Sequence, residues 1–196
     1  MHNMQNIIQK AFADGVELRR RCAAELAGPI SQAAECMIDC LQNGGKILTC
    51  GNGGSSSDAQ HFAGELVNRF EIDRPALPSI ALTSDASVIT SIANDSAYEE
   101  VFARQVEALG AKGDVLLAIS TSGNSANVNR AVEVAAGKGM RIIAMTGKDG
   151  GKLAGMPGID TLLNIPHAAT PRVQEMHITC LHILCSLIDD SLYGGT

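Results

Sequence analysis

Apolar positions recur along this chain with two different rhythms, and the rhythm changes near residue 45. Before it, Met4, Ile7, Ile8, Ala11 and Phe12 keep the three-and-four spacing of one helical face, and Ile30, Ala33, Ala34, Met37, Ile38 and Leu41 repeat it. Pro29 is placed to open the second helix, and Gly44-Gly45 to stop it. Beyond that point short apolar runs alternate with amphipathic stretches. The runs predict strands over 46–50, 78–82, 115–120, 141–145 and 160–165. Between them the spacing predicts helices over 57–68, 86–108 with a break near Asp95, 125–138 and a short one at 152–155. A long last helix starts with Thr170 as N-cap and Pro171 at its first position, and runs to about Tyr193.

Strands alternating with helices imply a parallel sheet covered on both faces. The expected fold is therefore α/β: one domain over 1–196, made of an N-terminal helix pair (1–44) and a five-stranded α/β sandwich with its C-terminal helix (45–196). One layered domain has limited room to cover the helix pair, which packs either on its own domain or, as two well-formed apolar stripes suit better, against a second copy of the chain. Such folds bind ligands beyond the carboxyl ends of their strands.

Two loops stand at those ends. Cys50-Gly51-Asn52-Gly53-Gly54-Ser55-Ser56-Ser57 follows the first run, and Ser120-Thr121-Ser122-Gly123-Asn124-Ser125 follows the third. Each leads into a helix, so each exposes backbone N–H groups at the positive end of a helix dipole. Glycines allow close approach and hydroxyls add donors. A nucleoside-triphosphate loop would need Gly-Lys-Ser/Thr, which is missing. A dinucleotide fingerprint would need glycine where Ser56 stands, although Asp85 lies where its acidic residue might. A bare glycine turn accounts for one loop but poorly for two matched ones. Neither loop has a Lys or Arg close by, which suits a phosphate used as a handle, as on a sugar phosphate. The loop Lys148-Asp149-Gly150-Gly151 reads as an ordinary connection.

Composition narrows the classes. The 196 residues hold no Trp, four Phe and two Tyr, so the core is aliphatic. The formal charge is −6 and the basic residues are dispersed; Arg19-Arg20-Arg21 reads as a solvated helix face, which disfavours nucleic acid. No apolar run is long enough for a bilayer, and Lys10, Asp14 and Glu17 rule against a signal peptide. Six cysteines without a Cys-x-x-Cys fall mostly in apolar helical patterns, as in a reduced, cytoplasmic protein.

Polar residues on two helices suggest chemistry. His61 and Glu65 share one helical face, as a surface pair or as part of a site. Gln174, His177 and His182 interrupt an otherwise apolar last helix, where a buried polar group needs a partner. Gln174 and His182 are roughly 80° apart around the axis and about 12 Å along it. They would meet on one metal only from opposite sides of it, or from neighbouring subunits. Zinc accepts His and Glu in a site with an open position, while Gln is an uncommon ligand. Arg69, Asp85, Asn94 and Asp95 are further candidates, the Asn94-Asp95 break being either a turn or a ligand contact.

The stretches CGNGGSSSDAQHFAGEL, IALTSDASVITSIAND, GDVLLAISTSGNSANV and RVQEMHITCLHIL resemble the sugar isomerase (SIS) domain family, and within it the bacterial phosphoheptose isomerases. The resemblance covers nearly the whole chain. It implies a flavodoxin-like, SIS-type sheet in a homotetramer with active sites between subunits. It implies interconversion of sedoheptulose 7-phosphate and D-glycero-D-manno-heptose 7-phosphate, the first step of heptose supply for lipopolysaccharide. By motif, Asn52, Gly53, Gly54, Glu65, Asn94, Asp95 and Gln174 would bind substrate, and Ser120, Thr121, Ser122 and Ser125 its phosphate. His61, Glu65, Gln174 and His182 would hold one Zn2+ per subunit, with Glu65 and His182 as the acid/base pair. A non-catalytic relative that binds the replication initiator protein lacks the counterparts of Glu65 and His182, so their presence here favours the enzyme. Ser56-Ser57, where alanines are usual, and Pro171 are small departures.

Overall fold

The structure, a computed structural model, describes residues 2–194. Helix α1 (His2–Glu25) and helix α2 (Ala27–Gln42) meet at Leu26. There follow β1 (Ile47–Gly51), α3 (Gly54–Val67), β2 (Ser79–Ala81), α4 (Ala86–Asp95), a 3-10 turn (Tyr98–Glu100), α5 (Ala103–Leu109) and β3 (Val115–Ile119). The chain closes with α6 (Ala126–Gly137), β4 (Arg141–Gly147), α7 (Gly151–Ala154), β5 (Thr161–Ile165) and α8 (Thr170–Tyr193).

All five strands pair in parallel, in the order β2-β1-β3-β4-β5. The three central strands, β1, β3 and β4, are short and almost wholly buried, as covered parallel strands must be. Alternate residues feed two cores. Ile47, Val115, Leu117, Ile119, Ile143, Met145 and Leu163 face the core shared with α1, α2, α3 and α8. Leu48, Cys50, Leu116, Ala118, Ile142 and Ala144 face the core built by α5, α6 and α7. All six cysteines are free and buried, and burial pushes the Cys50, Cys180 and Cys185 thiols up to about 12, so they act as packing residues. Among the described residues no helix is long and apolar enough to cross a membrane.

Two boundaries differ from the sequence pattern for local reasons. Pro29 does not open α2: the helix starts at Ala27, and Pro29 sits in its first turn, where a missing N–H costs nothing. Thr170 is the first residue of α8 and Ala169 holds the cap position without a side-chain bond, so Thr170 is not the N-cap. The break expected near Asp95 in the 86–108 pattern is present: α4 ends at Asp95, the chain turns at Ser96–Ala97, and the 3-10 turn leads into α5.

On α1, Met4, Ile7, Ile8, Phe12 and Val16 are exposed, Phe12 at 74%. The apolar stripe of the first helix thus finds no cover among the described residues, whereas Ile30, Ala33, Ala34 and Met37 of α2 are buried. Arg20 and Arg21 pair with Glu17 and Glu25 along an exposed face.

Candidate active site

In the order β2-β1-β3-β4-β5 the connections leave β1 and β3 toward opposite edges, which opens a crevice between the carboxyl ends of these two strands. The two glycine/serine loops flank that crevice. Ser55 and Ser56 donate their N–H groups to Asn52 O and Gly53 O, which folds the first loop tightly into α3 around Gly53 at φ +58°. In the second loop Gly123 N–H bonds Ser120 O, and the Ser120 and Ser125 hydroxyls are 2.9 Å apart. Among the described residues the N–H groups of Thr121, Ser122 and Ser125 meet no protein acceptor. With the hydroxyls of Ser120, Thr121, Ser122 and Ser125 they form a ring of donors of the kind that suits an anion.

The connection over 148–151 is a buttress of that ring, contrary to its reading as an ordinary link. A Cβ on Gly123 would collide with Gly150 O, and one on Gly151 with Ser122 O. Leu153 N–H donates to Gly123 O at 2.9 Å and Lys152 N–H to Asn124 Oδ1 at 3.1 Å.

Helices α3 and α8 run side by side in the same direction. Gln174 lies against Gly54, where a Cβ would strike its amide; His182 meets His61; and Asp189 is joined through Arg74 to the end of α3. His61 Nε2 is 2.9 Å from His182 Nε2 and 3.2 Å from Glu65 Oε1. One of the two imidazoles donates to the other across this contact, and the Glu65 carboxylate stands beside His61 as a further acceptor. Phe70 stacks on His182 with ring centroids 5.5 Å apart, giving the cluster an apolar wall. Gln174 stands about two turns along α3 from His61, with the first loop and not in the three-membered cluster.

His61, Glu65 and His182 are of the donor types that zinc accepts. No three His, Cys, Asp or Glu side chains among the described residues stand as a ready-made metal-holding group.

The other sequence candidates fall in different places. Asn94 Nδ2 donates to Asp95 Oδ1 at the end of α4, just before Tyr98 reaches Asn52. Asp85 is the N-cap of α4, accepting from Val88 N–H, so it has a structural duty and not that of a cofactor acid. Arg69 is exposed and makes no ion pair among the described residues. His177 is fully buried, donating to Thr146 O, and burial pushes it down to about 4, so it stays neutral.

Sequence reasoning missed four residues. Asp58, one turn before His61, has a buried Oδ2 without partner, and burial raises its carboxyl to about 6 against the opposing pull of His61. Its i, i+3 spacing to His61 was the available signal. Arg74, Asn127 and Tyr98 are brought in by long-range contacts that no local motif marks.

The fold and these loops define a doubly wound α/β domain that presents two donor-rich loops at its switch point and places carboxylate and imidazole groups on two adjoining helices. The SIS domain pattern matches residues 12–147, and the chain belongs to that family. It is 51% identical over 187 residues, 95% of each chain, to the phosphoheptose isomerase of Shewanella sp. strain ANA-3. Among solved structures, the phosphoheptose isomerase from Neisseria gonorrhoeae superposes with a TM-score of 0.91 at 48% identity, covering 95% of this chain and 99% of that one. The one from Francisella tularensis gives 0.92 at 42%, covering 95% and 98%.

Proposed function

We propose that this chain is an aldose–ketose isomerase that interconverts sedoheptulose 7-phosphate and D-glycero-D-manno-heptose 7-phosphate. The observation that carries the reading is the His61–Glu65–His182 cluster beside an anion crevice, in a chain 51% identical to a phosphoheptose isomerase over 95% of its length. The second loop, through Ser120, Thr121, Ser122 and Ser125, takes the phosphate. Asn52, Gly53, Gly54, Asn94, Asp95 and Gln174 line the path of the sugar toward the cluster.

The reaction moves one hydrogen between C1 and C2. Glu65 removes the proton from the carbon next to the carbonyl, and the electron pair of that C–H bond forms the enediol double bond. His182 carries the hydroxyl proton between the two oxygens, and Glu65 returns its proton to the neighbouring carbon. His61 holds the Glu65 carboxylate in place through its ring nitrogen. His61, Glu65 and His182 would hold a zinc ion; Gln174, which the resemblance adds as a donor, stands about two turns away on this chain and would have to come from a neighbouring subunit. Such an ion, when bound, stabilises negative charge on the enediolate oxygens. The exposed stripe of α1 supports assembly into a homo-oligomer, in keeping with the expected tetramer, and the whole chain acts as one SIS domain.

The test is direct. Purified protein incubated with sedoheptulose 7-phosphate in deuterated water should form the aldose and take up deuterium at C2. Failure to form any aldose, with or without added zinc, overturns the reading. Capture of the replication initiator by a protein lacking turnover would support the regulator instead.

A further inference from the structure

Asn52 and Asn127 face each other across the crevice as a reciprocal amide pair. Asn52 Nδ2 donates to Asn127 Oδ1 at 2.8 Å, and Asn127 Nδ2 donates to Asn52 Oδ1 at 2.9 Å. Two amides joined in this way have two possible orientations, and the pair alone does not choose between them. The choice is made from the backbone. Val128 N–H lies 3.0 Å from Asn127 Oδ1, and a backbone N–H only donates, so that atom must be oxygen. The facing atom of Asn52 is then nitrogen, and the second Asn52 atom is oxygen. Tyr98 OH, 3.0 Å from that oxygen, has no choice but to donate.

The consequence reaches the ligand. Asn52 Oδ1 is filled by two donors from its own chain, so Asn52 has only its second Nδ2–H to offer. Tyr98 has spent its proton, so its oxygen offers lone pairs, and this side chain is 57% exposed while Asn127 is only 3% exposed. We propose that Asn127 is a positioning residue for substrate recognition, fixing Asn52 as a donor and Tyr98 as an acceptor toward separate hydroxyl groups of the sugar chain. The buried amide never touches the ligand; it acts through Asn52. The arrangement also latches the first loop to α6, which carries the phosphate ring at its N-terminus. This inference rests on the sugar-phosphate isomerase reading and specifies how that site recognises its substrate.

The substitution Asn127→Asp tests the polarity itself. The introduced carboxylate still accepts from Val128 N–H and Asn52 Nδ2, but it sets an oxygen against Asn52 Oδ1. Protonation, favoured for a carboxyl in so buried a place, restores a donor there. The KM for sedoheptulose 7-phosphate, relative to the unsubstituted enzyme at each pH, should rise about tenfold near pH 8 and recover on approach to pH 6, about the change expected for one lost hydrogen bond with its partner left facing a lone pair. The inhibition constant of inorganic phosphate should stay within about twofold, because the phosphate ring is intact. Tyr98→Phe, at an exposed position that does not threaten folding, should raise KM severalfold and leave phosphate inhibition alone.

An unchanged KM in both variants overturns the proposal while leaving the isomerase reading in place. So does a rise in KM that ignores pH and is matched by weaker phosphate inhibition, since that marks simple loss of structure. Absence of both turnover and sugar-phosphate binding in the unsubstituted enzyme removes the two together.

Discussion

Arg74 and Asp189 form an ion pair with both side chains almost wholly out of solvent, at 2.6 Å between Nε and Oδ1. The same guanidinium donates to Leu66 O, Pro75 O and Glu65 O, so it caps the carbonyl end of α3 while holding α8. One residue therefore braces the two helices that carry Glu65 and His182. The carbonyl end of a helix favours a cation, which adds to the fit.

Arg74→Met should cost about 3–5 kcal/mol, because it strands a buried carboxylate and three carbonyls. Arg74→Met combined with Asp189→Leu should recover part of that loss, since the stranded charge is gone. Denaturant unfolding of the three proteins measures both. Equal stability of the single variant and the parent would show that the pair is not buried in solution.

Glu65→Gln should lower kcat by about 10³-fold or more, because the amide cannot accept the carbon-bound proton. Inhibition by inorganic phosphate should persist nearly unchanged. A variant that kept substantial turnover would move the base role elsewhere in the cluster.

Much of this architecture could be read from the chain. The five apolar runs, each bounded by small or polar residues, marked the strands to within about two residues. The two matched loops marked the crevice, since a strand followed by Gly and Ser and then a helix has few other uses. His61 and Glu65 declared themselves through one helical turn. What stayed hidden depends on contacts between distant segments. Nothing near Arg74 says that Asp189, 115 residues on, waits in the core. Asn127 looks like any first-turn asparagine until α6 is laid beside β1. The pairing of Gly123 with Gly150 requires β3 and β4 to be neighbours, which alternation alone does not establish.

Gly123→Ala should weaken the phosphate ring more than the fold. The residue has φ +65°, and an added methyl would meet Gly150 O. Backbone strain of about 1–2 kcal/mol and displacement of the 148–151 segment should follow. Phosphate inhibition should weaken about tenfold or more, while Gly137→Ala, in open space near the end of α6, should leave it unaltered. Equal effects of the two substitutions would dissociate the Gly123–Gly150 contact from anion binding.

His177 should make the protein acid-sensitive. Its ring is fully buried, with Nε2 bound to Thr146 O and Nδ1 without a partner among the described residues. Burial drives its pKa down from 6.5 to about 4, a cost to the charged form that the Thr146 bond offsets only in part. In the unfolded chain the same imidazole takes up a proton near its ordinary value. The unfolded state therefore binds more protons between about pH 6.5 and 4, and stability falls as pH drops through that window. The shift corresponds to about 3 kcal/mol lost by pH 4, with nothing lost above pH 7. Asp114 adds a loss of the same sign at lower pH: burial alone would raise its carboxyl, but hydrogen bonds from Lys46 and Ala111 outweigh it and hold the group below its usual range. Comparing denaturant stability at pH 7 and pH 4.5 in the parent and in His177→Gln separates the two. The glutamine variant should start less stable and lose less on acidification; an identical pH slope in both would mean that the ring is charged, or solvated, in the native fold.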